Sequence, residues 1–293
     1  HYELLAYHYA ESADQEKGWH YLLRAGDKAR RSYANESAID FYAQALALAP
    51  RAPDVDVAHQ ALADVYHLLG RYDPALDHYR HALDSASSQA ESALLRRKIA
   101  KTWAVQGLYD DALHYLHLVE ETLDAAEDAA ELVRVYDDMG WIARQRGEYE
   151  TALDYCLRAL TLIEGEGDGV PRSDVDSALR AQLLHNLGSI YARLGDYDKG
   201  IAYFQQCIED SEARDDLYEA GRSYVNLAVV YWRQGNFDLV AQYLRQSLRI
   251  FGRIGYTHGT AMCHNNLGVL HFTQGRYAEA ISAYNESLRI RQE

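Results

Sequence analysis

The chain has little cysteine, little proline and fewer basic than acidic residues. Its 293 residues include three cysteines and four prolines, and 29 lysines and arginines stand against 44 acidic residues, for a net charge of −15. Three cysteines without a CxxC pair predict neither a disulfide framework nor a zinc ribbon, and they favour a reducing, cytoplasmic setting. The acidic balance argues against nucleic acid and against an anionic membrane as partners. The sequence predicts neither a membrane span nor a signal peptide.

The sequence also lacks the short motifs that are typical of common catalytic sites. It contains no GxxxxGK[ST], no GxSxG and no HExxH. The segment GEGDG at 165–169 is similar to a dinucleotide-binding motif, but no strand precedes it, so it predicts a loop. We therefore expect no catalytic residues, no enzyme activity and no cofactor.

Thirteen histidines raise the question of a metal site. His78 and His81, and likewise His114 and His117, have the i, i+3 spacing that places two side chains on one helix face. No carboxylate or third ligand has a matching spacing. The sequence therefore predicts no metal site, and these histidines are interpreted as surface or inter-repeat residues.

What the chain does contain is an internal repeat with a step of forty residues. HNLGSIYARLGDYDKG, from His185 to Gly200, is followed by VNLAVVYWRQGNFDLV and then by NNLGVLHFTQGRYAEA. Large apolar residues recur at helical spacing, which predicts two amphipathic helices per unit. The glycine of LGDY, QGNF and QGRY predicts a left-handed residue that ends the first helix. Small residues at Gly188, Ala228 and Gly268 predict a close approach of the two helices.

This pattern resembles the tetratricopeptide repeat, whose signature is W-x2-L-G-x2-Y, then A-x3-F, then P. The resemblance covers nearly the whole chain, and the long step with NLG in the first helix is similar to the kinesin-light-chain type. It implies an all-α fold, a right-handed α-solenoid superhelix of helix-turn-helix repeats with about 15 helices. We expect amino-terminal helices and a degenerate first repeat in 1–50 and six repeats in 51–293. Their ranges are about 56–92, 93–132, 133–172, 181–220, 221–260 and 261–293, with a loop insert at 164–174.

The amino-terminal segment carries a second resemblance. The stretch LAYHYAES…YLLRAGDKA is similar to the start of the repeat array in large bacterial signalling ATPases and adenylate-cyclase-linked regulators. In those proteins the array follows a nucleotide-binding oligomerisation domain. Because the chain begins at His1 without Met and enters helical periodicity at once, we expect it to be a fragment of a longer protein.

The resemblance to the repeat family also implies a concave groove lined by the first helices. Cations outnumber anions at the positions assigned to it, and aromatic residues accompany side-chain amides there, which is typical of binding surfaces. The residues expected to line this groove for a peptide are Arg97, Lys98, Lys101, Arg134, Trp141, Arg144, His185, Asn186, Ser189, Arg193, Arg222, Asn226, Trp232, Arg233, Asn265, Asn266 and Phe272.

Three of these residues, Asn186, Asn226 and Asn266, precede the buried leucine of successive repeats. Asparagine is a poor helix former, so its recurrence needs a reason. One interpretation is a ladder of amides that clamps an extended peptide backbone. The other is that each amide bonds to the neighbouring repeat and fixes the superhelix. The sequence leaves both open.

The first function that the sequence indicates is a protein–protein interaction scaffold that captures a peptide or a partner domain in the groove. The groove cations favour an acidic ligand. An alternative is an effector-sensing regulatory domain of a larger bacterial signalling ATPase or cyclase. A second alternative is self-association into a homo-oligomer through exposed end repeats, because the last apolar face, with Ile281, Tyr284 and Leu288, has no obvious cap.

Overall fold

The computed structural model describes residues 2–10, 14–48, 55–124, 128–165 and 177–292. The regular structure in these residues is helical, in fifteen helices, which confirms the all-α prediction. The loop insert predicted at 164–174 lies outside the described residues from position 166 onward. Every helix in the described ranges is too short or too polar to cross a bilayer.

Packing divides the chain into two compact units. The first, His1–Asp124, contains seven helices in its described residues: α1 (Tyr2–Ala10), α2 (Gln15–Arg31), α3 (Asn35–Leu48), α4 (Val55–Leu68), α5 (Tyr72–Ser85), α6 (Gln89–Val105) and α7 (Tyr109–Glu120). The second, Ala125–Glu293, contains α8 (Ala129–Gln145), α9 (Tyr149–Glu164), α10 (Ser177–Leu194), α11 (Tyr197–Ala213), α12 (Leu217–Arg233), α13 (Phe237–Arg253), α14 (Thr257–Thr273) and α15 (Tyr277–Gln292).

Each unit is built from helices that pack against their neighbours in chain order. In the second unit α8 packs on α9, α10 on α11, α12 on α13 and α14 on α15, and the second helix of each pair also contacts the first helix of the next. The first unit repeats this order, with close pairs at α4–α5 and α6–α7. Such nearest-neighbour stacking of hairpins defines an α-solenoid.

A glycine ends the first helix of each of these hairpins, as the sequence predicts. In the second unit Gly195 has φ 87°, and Gly235 and Gly275 both have φ 74°, a left-handed conformation that side chains disfavour. The next helix then begins at once. Asp196 caps α11 by accepting a hydrogen bond from the backbone N–H of Lys199 at 3.3 Å. Two helices are thus joined by a connection of only a few residues.

Small residues on the first helices allow the two helices of a hairpin to approach closely. A Cβ on Gly188 would lie 2.8 Å from the ring of Phe204, and a Cβ on Gly268 would lie 2.6 Å from the ring of Tyr284. In the hairpin between them the glycine is replaced by Ala228, and the ring is replaced by the smaller Leu244, which packs in the same apolar cluster. A glycine on the first helix is therefore paired with a large ring on the second, and the larger alanine is paired with the smaller leucine.

A ladder of buried polar side chains also repeats at forty-residue steps. In the last three hairpins a small side chain on the second helix donates a hydrogen bond to a backbone carbonyl of the preceding first helix. The pairs are Cys207 to Ala181 at 3.2 Å, Ser247 to Gly221 at 2.9 Å and Ser287 to Ala261 at 2.8 Å. The equivalence of Cys207 with two serines indicates that this thiol serves the packing of the hairpin.

Several of the tyrosines occupy a ring position that recurs from one hairpin to the next. In several hairpins an aromatic ring on the first helix packs against a ring twelve residues later on the second. The pairs are Tyr66–His78, Trp103–Tyr115, Tyr191–Tyr203 and Tyr231–Tyr243, with ring centroids 5.8, 4.7, 5.4 and 5.4 Å apart. Tyrosine fills the second place in three of these pairs, and histidine fills it only at His78.

Candidate functional site

Three first helices of the second unit, α8, α10 and α12, surround a cavity of about 440 Å³. Most of its lining comes from these helices, and α9 and α11 contribute one ring each. We call it the arginine cavity, and its described lining residues are Arg144, Gln145, Tyr149, Ser189, Ile190, Ala192, Arg193, Phe204, Asn226, Val229, Val230 and Arg233. Five of them are predicted groove residues: Arg144, Ser189, Arg193, Asn226 and Arg233.

The arginine cavity is positively charged although the whole chain is acidic. Its described lining residues include three arginines and no carboxylate. Arg193 and Arg233 are exposed at equivalent positions of successive repeats, and neither forms an ion pair with another described residue. Arg144 is half-buried and donates from Nη1 to Oδ1 of Asn186 at 2.7 Å. The two exposed guanidinium groups are therefore available to an anionic ligand.

An apolar cavity of about 170 Å³ adjoins the arginine cavity. Val229 lines both, and the other described residues of the smaller cavity are Ala228, Trp232, Val240, Leu244, Asn266 and Val269. Two of these, Trp232 and Asn266, are predicted groove residues. The indole of Trp232 is held edge-on against the ring of Phe237, with centroids 5.4 Å apart. The second unit thus presents a charged and an apolar depression side by side.

The repeated asparagines mainly bond between hairpins. Asn186 donates from Nδ2 to Oδ1 of the buried Asp137 at 2.9 Å, and its own Oδ1 accepts from Arg144. The Nδ2 atom of Asn226 lies 3.0 Å from Nε2 of His185 on the preceding first helix. The structure therefore gives both amides the inter-repeat role that the sequence left as one of two interpretations. Asn266 lines the apolar cavity instead.

His185 is buried, with 5% of its surface exposed, so it does not line the groove for which the sequence proposed it. Arg222 approaches its Nε2 atom at 3.4 Å and can only donate, so Nε2 accepts and Nδ1 carries the proton. That proton points to Oγ of Ser223 at 3.0 Å. Burial, followed by the charges of Arg222 and Arg144, lowers the pKa of His185 to about 3. The ring is therefore neutral at pH 7.

His185, Cys207 and Glu219 bring potential metal-ligand atoms within 4.8 Å of one another. Most of these atoms take part in a buried chain of hydrogen bonds, and Oε1 of Glu219 lies 3.2 Å from Nδ1 of His185. Ser223 donates to Sγ of Cys207 at 3.2 Å, and the thiol donates onward to the Ala181 carbonyl. Glu219 accepts a hydrogen bond from Arg222 at 2.8 Å. Burial raises the pKa of the Cys207 thiol. The arrangement is a hydrogen-bonded network that joins α10, α11 and α12.

The predicted groove residues of the first unit lie on α6. Lys98 donates to both carboxylate oxygens of Asp64, at 2.6 and 2.8 Å, and its ammonium group lies 5.7 Å from the ring centre of Tyr79. Lys98 therefore joins α6 to α4 and α5. Arg97 is half-buried and Lys101 is exposed.

The remaining predicted residues are spread over the second unit. Arg134 is half-buried and donates to the Ala130 carbonyl at 3.2 Å, and Arg222 is held by Glu219. Trp141 is 37% exposed and Phe272 is 59% exposed, and Asn265 is half-buried. None of these five lines the arginine cavity or the apolar cavity. On the last hairpin Ile281 and Leu288 are exposed, whereas Tyr284 packs against Gly268.

Some cavity residues lie outside the predicted set. Tyr149 and Phe204 belong to second helices, and Gln145 is the last residue of α8. The register taken from the repeat family assigns only first-helix positions to the groove, so it does not select them. The glycine opposite Phe204 is the sequence signal that places this ring close to the first helix.

Comparison with known families matches most of the chain to one repeat. A tetratricopeptide repeat model matches residues 34–88, 179–253 and 241–293, and a second tetratricopeptide repeat model matches 135–170. A curated relative, the photosystem I assembly protein Ycf3 of Rippkaea orientalis, is 33% identical over 92 residues, which are 31% of this chain. The match spans 46% of that relative, less than half of its length.

Solved structures share the fold at low sequence identity. The apo quorum sensor NprR from B. thuringiensis has a TM-score of 0.76 and 15% identity, covering 99% of this chain and 80% of that one. A STAND signal transduction ATPase with a tetratricopeptide repeat sensor, from Pyrococcus horikoshii, has a TM-score of 0.72 and 17% identity, covering 100% of this chain and 45% of that one. The Rap conjugation gene regulator of plasmid pLS20, solved with the Phr* peptide, has a TM-score of 0.58 and 17% identity. The match covers 95% of this chain and 75% of that one.

Proposed function

The chain belongs to the tetratricopeptide repeat family, and we propose that it is an interaction scaffold whose second unit binds an extended acidic peptide. The peptide lies along the face that α8, α10 and α12 share, over the arginine cavity. Repeat proteins present extended faces of this kind to partners. The observation that carries the proposal is the charge of this cavity, with three guanidinium groups and no carboxylate among its described lining residues.

The exposed arginines supply the charge-assisted part of this recognition. Arg193 and Arg233 occupy the same position in successive repeats, so they offer two guanidinium groups one repeat apart. Guanidinium groups bind carboxylates through paired, directional N–H donors, which makes Arg more selective for this group than Lys. Ser189 and Asn226 add neutral hydrogen-bonding groups to the same lining. A carboxylate side chain or a free carboxy terminus fits this donor set.

The apolar cavity adds a second element of specificity. It shares Val229 with the arginine cavity and includes Trp232 in its lining. A peptide that places a large apolar side chain next to its carboxylate would fill both depressions at once. Burial of such a side chain contributes about 1.5–3 kcal/mol before the cost of ordering the peptide.

The structural neighbours support a peptide as the ligand. The Rap regulator of plasmid pLS20 shares the fold and was solved with a bound peptide, the Phr* peptide. At 17% identity this likeness concerns the fold, so it supports the class of ligand rather than its sequence. The proposed role is binding rather than catalysis.

A peptide array tests this function. Synthetic decapeptides that vary in acidic and apolar content are probed with the purified chain and with the double variant Arg193→Glu/Arg233→Glu. We expect the wild type to select peptides with a carboxylate beside a large apolar residue, and the double variant to lose that selection. Selection of basic or uncharged peptides by the wild type, or unchanged selection by the variant, would overturn the proposal.

A second candidate is a sensor domain within a larger signalling protein. The observation that favours it is the likeness to the Pyrococcus horikoshii STAND protein, in which a tetratricopeptide repeat sensor accompanies an ATPase. The full reading frame that encodes this chain discriminates between the two. A P-loop nucleotide-binding domain encoded upstream of His1 supports the sensor role, and peptide binding would then be its input.

A further inference from the structure

Three histidine side chains meet in the first unit, on the hairpin of α4 and α5. The Nδ1 atoms of His59 on α4 and His78 on α5 lie 2.8 Å apart. The ring of His81, one helical turn after His78, has its centroid 5.1 Å from that of His59. The i, i+3 pair of His78 and His81 is visible in the sequence. The third imidazole, His59, comes from the partner helix, so the spacing of the pair does not reveal it.

Packing alone does not require a histidine at this place. His78 lies with its ring parallel to Tyr66, at an interplanar angle of 9°. In three other hairpins the equivalent ring is a tyrosine, namely Tyr115, Tyr203 and Tyr243. Tyr203 and Tyr243 stack in parallel on their partners, at 5° and 11°, whereas Tyr115 meets Trp103 edge-on. A tyrosine therefore makes the same parallel contact in two other hairpins, and this contact does not require the ring nitrogens of His78.

The contact between His59 and His78 occupies both Nδ1 atoms. One Nδ1 donates its proton to the other at 2.8 Å, so the accepting ring carries its own proton on Nε2. When the donor ring also moves its proton to Nε2, the two Nδ1 lone pairs face each other and can coordinate a cation.

We propose that His59, His78 and His81 form a binding site for a divalent transition-metal ion of the zinc type. Imidazole nitrogens are favoured ligands of Zn²⁺, Ni²⁺ and Cu²⁺, and three of them with one open position make a recurrent zinc coordination set. The proposal is independent of the peptide function, because it concerns a different unit and different residues.

Coordination of an ion between the rings requires a small rearrangement, because the three rings do not bring one nitrogen each within 4.8 Å of one another. The exposed side chain of His81 can turn toward the other two rings. Zn–N bonds of about 2.0–2.1 Å in a tetrahedron place two ligand nitrogens roughly 3.3 Å apart. The two Nδ1 atoms therefore need to separate by about half an ångström from their present 2.8 Å. His59 and His78 are half-buried and His81 is exposed, so an ion can enter from the side of His81. Bound metal would link α4 to α5.

The test is a calorimetric titration of the metal-free chain with Zn²⁺, with His78→Tyr and His81→Ala as the site variants. His78→Tyr introduces the residue that three other hairpins use, and His81 is exposed, so both variants are expected to fold. We expect one Zn²⁺ per wild-type chain. We expect each variant to bind at least about tenfold more weakly, since the loss of outer partners of metal ligands alone costs 10- to 100-fold.

The matched control is His114→Ala/His117→Ala, which removes the other i, i+3 histidine pair, on α7. We expect this control to bind Zn²⁺ as the wild type does, and Zn²⁺ to raise the melting temperature of wild type and control but not of His81→Ala. Co²⁺ in the wild type is expected to show d–d bands without thiolate charge transfer, which separates this site from Cys207. Absence of Zn²⁺ binding, wild-type affinity in both site variants, or thiolate charge transfer would overturn the proposal.

Discussion

The side-chain amide of Asn226 on α12 lies against the ring of His185 on α10, with Nδ2 3.0 Å from Nε2. Because Arg222 also approaches Nε2 and can only donate, this nitrogen keeps its lone pair and the ring stays neutral. Two successive first helices are thus joined beneath the arginine cavity, which Asn226 also lines. The contact fixes the spacing of the helices that carry Arg193 and Arg233.

The neutral state of His185 predicts a pH dependence of stability. The pKa of this ring falls to about 3 in the folded chain, against its usual 6.5 in the unfolded one. Between these values the unfolded state binds more protons, so acid favours unfolding. Because the unfolded chain takes up a proton at His185 and the folded chain does not, the free energy of unfolding falls by about 1.4 kcal/mol for each pH unit below 6.5. Above pH 6.5 the contribution of His185 is constant.

Urea unfolding of the wild type and of His185→Gln, from pH 7.5 to pH 5, measures this contribution. We expect His185→Gln to be less stable at pH 7.5, because it loses a buried hydrogen bond, and to lose less stability on acidification. An equal loss in the two proteins would show that His185 does not titrate as described. Other histidines affect both proteins alike and cancel in the comparison.

The contact between Gly188 and Phe204 predicts a coupled pair of substitutions. Gly188→Ala places a methyl group 2.8 Å from the ring, and the strain of overpacking is about 1–3 kcal/mol, partly offset by about 1 kcal/mol of better helix propensity. Phe204→Leu in the Gly188→Ala background creates the combination that Ala228 and Leu244 already form in the next hairpin. We expect Phe204→Leu to destabilise the wild type but not the Gly188→Ala variant.

A double-mutant cycle of denaturant midpoints measures this coupling, for which we expect about 0.5–3 kcal/mol in favour of the double variant. The reciprocal exchange, Ala228→Gly/Leu244→Phe, serves as the control for the neighbouring hairpin. Additive effects of the two substitutions would contradict the close approach of α10 and α11.

The buried polar ladder predicts that hydrogen-bonding capacity matters more than the identity of the side chain. Ser247→Ala removes the hydroxyl that donates to the Gly221 carbonyl and that accepts from the Cys263 thiol at 3.4 Å. We expect a loss of about 1 kcal/mol. Ser247→Cys creates the side chain that Cys207 supplies in the preceding hairpin, and we expect a smaller loss. Thermal unfolding compares the two, and a larger loss for Cys than for Ala would refute the equivalence.

The sequence predicts features that are local and periodic. The helix pairs, the left-handed Gly195 and Gly235 and the close approach at Gly188 and Gly268 all depend on spacings within one repeat. Such spacings are visible in the sequence because they recur at forty-residue steps.

Features that depend on which side chains meet between helices were not predictable in the same way. His185 has the spacing of a groove residue, but its burial depends on Ser223, Glu219 and Asn226 of the next first helix. His59 joins His78 and His81 because α4 packs on α5, and its separation from them along the chain is no standard ligand spacing. Likewise, the arginine cavity includes rings from second helices, which a register of first-helix positions does not include.

The central claim is that the arginine cavity binds a carboxylate-bearing peptide, and fluorescence anisotropy with a labelled acidic decapeptide tests it most directly. The wild type is compared with Arg193→Glu/Arg233→Glu and with Arg245→Glu/Arg249→Glu, a control with the same charge change on exposed residues of α13. We expect wild type and control to bind alike, with affinity that falls as salt rises, and the cavity variant to bind roughly tenfold or more weakly. Equal weakening by both double variants, or by neither, would contradict the claim.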